Sequence, residues 1–285
     1  MNIRIIPRLD IKGPNLVKGV NFEGLRVLGK PEHFARHYYE SGADELLYMD
    51  AVASLYGRNS LLEIVERTAR EIFIPLTVGG GLRSTEDIRV VLRAGADKVA
   101  LNTAAINRPE LIREASRAFG SSTVLVSIEA TRRQDGTFEA LTDYGRQNSG
   151  VNAVDWAKKA VELGAGELMV TSIDREGTGK GFDLELVGQI SRLVDVPVIA
   201  GGGAGSCADI STVIEQCQVD AVCVASILHY NYIKHCKYDP GEFADEGNIE
   251  ALKRGLSFSR IADTSLVDLK KHLRNKNISC RYQGN

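Results

Sequence analysis

Short apolar runs of strand length alternate along the chain with longer stretches of helical periodicity. Eight runs, RIIPRL, ELLYMD, IPLTV, DKVALN, TVLVSIE, ELMVTS, VPVIAG and DAVCVAS, read as strands, because such runs bounded by turn signals suit a buried strand. Between them PEHFARHYYESG, NSLLEIVERTAREI, STEDIRVVLRAG, RPELIREASRAFG and AVDWAKKAVELG carry helical spacing, with Ser, Thr or Pro at several starts and Gly at several ends. Strict alternation of strand and helix predicts parallel strands. Eight such units in a chain of this length predict a single α/β domain over residues 1–285, a closed (β/α)8 barrel. No G-x-G-x-x-G follows the first strand, which argues against an open dinucleotide-binding sheet.

The pattern also repeats. LTVGGGLRS (76–84) parallels VIAGGGAGS (198–206), Asp97 parallels Asp220, and Asp10 parallels Glu129, at offsets of 122, 123 and 119 residues. Nearly equal offsets predict two half-barrels, about 1–121 and 122–285, each of four strand-helix units.

Composition narrows the function classes. The 285 residues are 44% hydrophobic and 25% charged with a net charge of -2, and no Lys/Arg stripe interleaves with aromatics, so nucleic acid is not an expected partner. Neither a signal-like start nor a run of about 18 apolar residues occurs, so a cytoplasmic protein without membrane attachment is expected. The five cysteines, Cys207, Cys217, Cys223, Cys236 and Cys280, show no C-x-x-C spacing and read as reduced thiols. His33 and His37 stand four apart on a predicted helix without a third ligand, and read as a solvated face. No metal or cofactor is expected.

In a barrel of this kind the loops after the strands build the active site. Each half offers a Gly-rich turn after its third strand and a short exit after its fourth: Gly80 and Gly81 with Asn102 and Thr103, then Gly202 and Gly203 with Ala225 and Ser226. Backbone N–H groups in such turns cradle phosphates. Two matched cradles predict a substrate phosphorylated at both ends. Asp10 and Glu129, one per half, suit general acid and general base roles, or else two salt-bridged carboxylates. Arg8 lies on the face of the strand that Asp10 shares and would hold it ionised, while Pro7 is expected on the opposite face. Asp50, Asp174 and Glu176 add acidity to the mouth. Lys18 falls in a long loop after the first strand, either as a mobile lid residue or as a solvated lysine.

The segments LVKGVNFEGLR, FIPLTVGGGLRS, GADKVALNTAA, LGAGELMVTSIDREGT and VIAGGGAG resemble the cyclase subunit of imidazole glycerol phosphate synthase, over residues 1 to about 230 and again in the final helix. The resemblance implies a glutaminase partner on the N-terminal face of the barrel and ammonia travelling through it. It also implies a pair of acidic residues that cleave and cyclise a bis-phosphorylated ribulosyl aminoimidazole carboxamide in histidine biosynthesis. Asp10 and Glu129 fall at that pair, Arg4, Glu45, Lys98 and Glu167 at the ammonia gate, and Asp97 at the glutaminase contact. Gly177 joins the phosphate-binding set, and Thr171 joins Arg8, Lys18, Asp50 and Glu176 among the substrate and lid positions.

The mouth departs from that pattern. Glu129 stands where the family has aspartate, Arg8 replaces cysteine, Tyr144 fills a position usually small, Glu176 replaces aspartate and Gly201 replaces serine. IPRLDIKGPNLVKGV, MDAVASLYGRN and VSIEA look more like cyclase-like barrels associated with acetamidino modification of surface polysaccharide sugars, such as lipopolysaccharide O-antigen. That likeness implies a barrel passing ammonia to a separate sugar amidotransferase on its C-terminal face, and the altered mouth favours this second reading. An insertion at about 231–264 follows the eighth strand, read as a partner-docking segment or lid, or as surface decoration.

Overall fold

The computed structural model describes residues 2–53, 61–235 and 260–282. Eight parallel strands close on themselves: β1 (Arg4–Lys12), β4 (Leu46–Asp50), β5 (Leu76–Gly79), β6 (Lys98–Leu101), β7 (Val124–Arg132), β10 (Glu167–Ser172), β11 (Val198–Gly201) and β12 (Ala221–Val224). The ring is completed by β1 pairing with β12, where Arg4 meets Ala221 and Pro7 meets Val224. All eight predicted strands are present, and the fold is the expected (β/α)8 barrel.

Alternation along each strand makes two cores. Outward residues such as Ile5, Leu9, Val78, Val99, Val126 and Val170 pack beneath the helices in the larger cluster. Inward residues fill the lumen: Ile6, Leu47, Ala100, Leu125, Met169, Ile199 and Cys223 form a separate apolar plug. Because side chains on a strand alternate faces, Ile6 in the lumen sets Arg4 below it and Arg8 and Asp10 above it, on one inward line. Pro7 falls on the other face, as expected, and is buried. The matched Ser84 and Ser206, each following a Gly triplet, cap helices Thr85–Arg93 and Cys207–Cys217 by accepting from Asp87 and Asp209 N–H.

Two hairpins interrupt the simple alternation. After β1 the chain forms β2 (Asn15–Val20) and β3 (Glu23–Gly29), and after β7 it forms β8 (Phe138–Thr142) and β9 (Gln147–Asn152), all antiparallel. The first corrects the expectation of a loop there. Lys18 lies in β2, buried, and is neither a mobile lid residue nor a solvated lysine. The pattern NLVKGV hid this strand because Gly19 breaks the alternation and Lys18 points into the barrel mouth. Of the insertion, residues 231–235 extend helix Ser226–His235 and residues 260–264 lead into helix Leu266–Asn275, while 236–259 lie outside the described residues.

Candidate active site at the carboxyl end of the barrel

The inward line of β1 ends in a buried ionic cluster. Arg8 Nε donates to Asp10 Oδ1 at 2.8 Å, and Arg8 Nη2 lies 3.7 Å from Glu129 Oε1. Lys18 Nζ reaches across from β2 to Glu176 and stands 3.8 Å from Asp10 Oδ2. Asn102 Nδ2 donates to Glu129 Oε2 at 3.1 Å. All four charged groups around Asp10 are at least 90% shielded from solvent, so each charge needs a partner.

The two central carboxyls are driven apart. Burial pushes Asp10 up, but Arg8 and Lys18 more than offset it and hold the group below its ordinary carboxylate range. Burial pushes Glu129 up to about 7, Asp10 and Glu176 add to the rise, and the more distant Arg8 offsets only part of it. Asp10 is therefore ionised at neutral pH while Glu129 is near half-protonated. Carboxyls separated in this way are what an acid-base pair requires. Arg8 thus ionises Asp10, as its spacing implied, without also ionising Glu129.

The backbone of Arg8 is itself fixed. Its carbonyl can only accept, so His229 Nε2 donates to it at 2.9 Å, and the Tyr38 hydroxyl donates to Nδ1 at 2.6 Å. Burial, with Lys18 adding to it, pushes His229 down to about 3, which keeps the ring neutral in this role. Sequence reasoning assigned nothing to His229. Its signal was faint, one of two histidines in the helix after β12.

Two cavities flank the cluster. The first, about 260 Å³, is lined by Gly80, Gly81, Asn102 and Thr103 together with Glu129 and Tyr144. The second, about 20 Å³, is lined by Gly202, Gly203, Ala225 and Ser226 together with Arg8 and Glu176. The glycines are required by contact as well as by conformation. A Cβ on Gly80 (φ 104°) would lie 2.8 Å from the Asp50 carbonyl oxygen, and one on Gly203 (φ 112°) would lie 2.2 Å from that of Gly181. The structure thus brings both Gly-rich turns and their paired exits to the same end of the barrel as Asp10 and Glu129.

The remaining sequence-selected residues separate into distinct places. Thr171 is buried beside Gly201, where an added Cβ would come 2.8 Å from Thr171 Oγ1, so the glycine at 201 matches its neighbour. Gly177 packs against the β2 backbone, 2.5 Å from the Gly19 oxygen by the same measure. Asp50 lines the first cavity and accepts from the N–H groups of Val52 and Ala53. Asp174 does not join the cluster as the sequence suggested. It is exposed and accepts from Thr131 Oγ1 and Arg132 N, because the turn after β10 directs it outward toward the end of β7. His33 is exposed and His37 stacks on Tyr232 at 4.3 Å. Among the described residues no three metal-ligating side chains come together. No helix among them is long and apolar enough to cross a membrane.

At the opposite end of the lumen, four charges form a closed ring. Arg4 donates to Glu45 at 2.6 Å and to Glu167 at 2.5 Å, and Lys98 donates to the same two carboxylates at 3.0 and 3.1 Å. Asp97 stands exposed on this face, its Oδ2 accepting from Leu76 N, close to the outstanding Phe73, which is 80% exposed.

Comparison with known proteins adds a family to this geometry. A family model described as "Histidine biosynthesis protein" matches residues 4–234. A relative from Legionella pneumophila is 60% identical over 204 residues, 72% of this chain and 96% of the relative. One from Alkaliphilus metalliredigens is 46% identical over 81% of this chain and 91% of its own length, and one from Streptomyces coelicolor is 48% identical over 81% and 92%. All three are named imidazole glycerol phosphate synthase subunit HisF.

Proposed function

Since the chain belongs to the histidine biosynthesis protein family, as a barrel of the HisF type, we propose that it is the cyclase subunit of an imidazole glycerol phosphate synthase. It receives ammonia released from glutamine by a glutaminase subunit. It uses that ammonia to cleave and cyclise a ribulosyl aminoimidazole carboxamide carrying two phosphates, giving imidazole glycerol phosphate and the aminoimidazole carboxamide ribotide.

The observation that carries this reading is the split pair, Asp10 held ionised and Glu129 raised to about 7, standing between two glycine cradles. A substrate anchored by a phosphate at each end is stretched over both carboxyls. Asp10 takes a proton from the nitrogen that attacks, and Glu129 gives one to the nitrogen that leaves. Ammonia enters by the ring of Arg4, Glu45, Lys98 and Glu167, and the glutaminase covers the Asp97 and Phe73 face. The apolar plug between the ring and the mouth keeps the passage free of other nucleophiles.

A second reading has one observation in its favour. The Arg8 guanidinium, absent from the family's usual mouth, fills the space between the carboxyls and suits a barrel that passes ammonia to a separate sugar amidotransferase. Identity of 46 to 60% with relatives named for the synthase supports the first reading. Purified protein supplied with the bis-phosphorylated substrate and ammonium salt tests both, since no glutaminase is then needed. The first reading expects turnover. Its absence, with turnover appearing after Arg8→Cys and Glu129→Asp together, would transfer the assignment to the second.

A further inference from the structure

The acid-base roles leave most of one side chain unused. Arg8 is buried, and Nε alone among its nitrogens has a hydrogen-bond acceptor, Asp10 Oδ1. Nη1 and Nη2 are closed off from solvent with no acceptor in hydrogen-bonding range among the described residues, the Glu129 carboxyl standing 3.7 Å from Nη2. Four of the five donors of the guanidinium are therefore unpaired. Burying charged donors in that state is costly, and such a group is retained where a ligand brings the missing acceptors. Two further contacts hold the guanidinium plane in place, the Phe22 ring with its centroid 4.9 Å from Cζ and the Tyr144 ring at 6.0 Å.

Arg8 also lines the second cavity, against Gly202, Gly203 and Ser226, and among the described residues is the one cationic side chain in its wall. Lys18 is engaged with Glu176 and Asp10. The first cavity has Arg83 and Arg108 at its edge. Without Arg8 the described wall of the second would offer a doubly charged phosphoryl group backbone N–H groups and the Ser226 hydroxyl, but no positive charge. A planar guanidinium with two free nitrogens matches two oxygens of one phosphoryl group.

We propose that Arg8 is the anion-binding side chain of the second cradle: tied to Asp10 through Nε, it presents Nη1 and Nη2 to the oxygens of a phosphoryl group seated on Gly202, Gly203 and Ser226. The inference rests on the reading of a bis-phosphorylated substrate and assigns a charged ligand to one of its ends. The cavity has space for about one water, and Glu176 shares its wall, so the carboxylate of Glu176 moves aside as the anion enters. The same arginine then couples the two tasks, since the anion that engages Nη1 and Nη2 also orients the fork that ionises Asp10.

The test is a titration of the full chain with inorganic phosphate, followed by the backbone amide signals of Gly203 and Ser226 for the second cradle and of Gly81 and Thr103 for the first. The proposal expects both sets to shift in the unaltered protein. In Arg8→Met the Gly203 and Ser226 response weakens about tenfold or more while Gly81 and Thr103 keep their midpoint. Arg8→Lys, which retains a cation beside Asp10, gives the same result if Arg8→Met does not fold, because the fork is lost while the charge remains. Unchanged midpoints at Gly203 and Ser226 in a folded Arg8 variant would overturn the proposal and leave the two-phosphate reading standing. Silence of both cradles in the unaltered protein would overturn both.

Discussion

Phe22 and Tyr144 pack ring against ring over the barrel mouth, their centroids 4.3 Å apart and their planes tilted by 41°. Each belongs to a hairpin that follows a barrel strand bearing one of the central carboxyls, Phe22 between β2 and β3 after β1, Tyr144 between β8 and β9 after β7. Both turns use consecutive non-glycine residues in the left-handed region, Asn21 and Phe22 at φ 52° and 62°, Asp143 and Tyr144 at 51° and 59°. Aromatic side chains rarely adopt that backbone, and strain of this kind persists where the surroundings over-determine it. Here the surroundings are each other, the shared cluster of Val17, Leu141 and Ile173, and Arg8 beneath.

Such a contact should be energetically coupled. In a double-mutant cycle of Phe22→Leu and Tyr144→Leu, followed by denaturant unfolding, the coupling is expected at about 0.5–1.5 kcal/mol, the usual worth of an aromatic pair beyond its burial. Strict additivity would show that the hairpins close the mouth independently.

The split between Asp10 and Glu129 predicts the pH profile. At constant free ammonia, turnover should fall as pH rises through about 7, because Glu129 then loses the proton that its proposed role has it donate. The acidic limb should lie below the ordinary carboxylate range, where Asp10 becomes protonated. Glu129→Gln should remove the alkaline limb together with about 10²–10⁴ of the rate. An alkaline limb that survives in Glu129→Gln would assign the titration to another group.

The same carboxyl predicts a stability effect of known sign. Glu129 is raised from 4.5 to about 7 in the folded state, so the folded protein binds more protons than the unfolded one between those values. The contribution is fully present below about 4.5 and is lost as pH rises through 7, a change of up to about 3 kcal/mol. Glu129→Gln should therefore raise the melting temperature more at pH 8 than at pH 5. Equal shifts at the two pH values would show that Glu129 is not held protonated.

How much of this was legible in the sequence follows from what a linear pattern encodes. The eight buried strands and the helices between them announce themselves, because continuous apolar runs and capped helical periods are local signals. The inward line Arg4, Ile6, Arg8, Asp10 was likewise readable from alternation alone. The hairpins were not. Their strands carry Lys18 and Glu139 buried through ion pairs rather than apolar residues, so the hydrophobic pattern fails where the mouth is polar. The Phe22–Tyr144 contact, the outward turn of Asp174 and the division of the two carboxyls depend on groups more than forty residues apart. The sequence shows that Arg8 sits beside Asp10, but only the fold shows that its approach to Glu129 is too distant to ionise that group as well.

The ring at the other end of the barrel supports a prediction that separates passage from scaffold. Arg4 and Lys98 each bridge Glu45 and Glu167, so the ring holds on one side when the other is removed. Lys98 is one-fifth exposed, and Lys98→Met should cost little stability, within about 1 kcal/mol. Turnover with ammonium salt, which reaches the mouth directly from solvent, should be unchanged. Glutamine-dependent turnover with the glutaminase subunit should change severalfold, because on the proposed route ammonia then passes the altered ring. The two assays share the chemistry proposed for Asp10 and Glu129 and differ only in the route of the nitrogen. A parallel change in both would show that the ring is part of the scaffold, whereas a change confined to the glutamine assay places the entrance at Arg4, Glu45, Lys98 and Glu167.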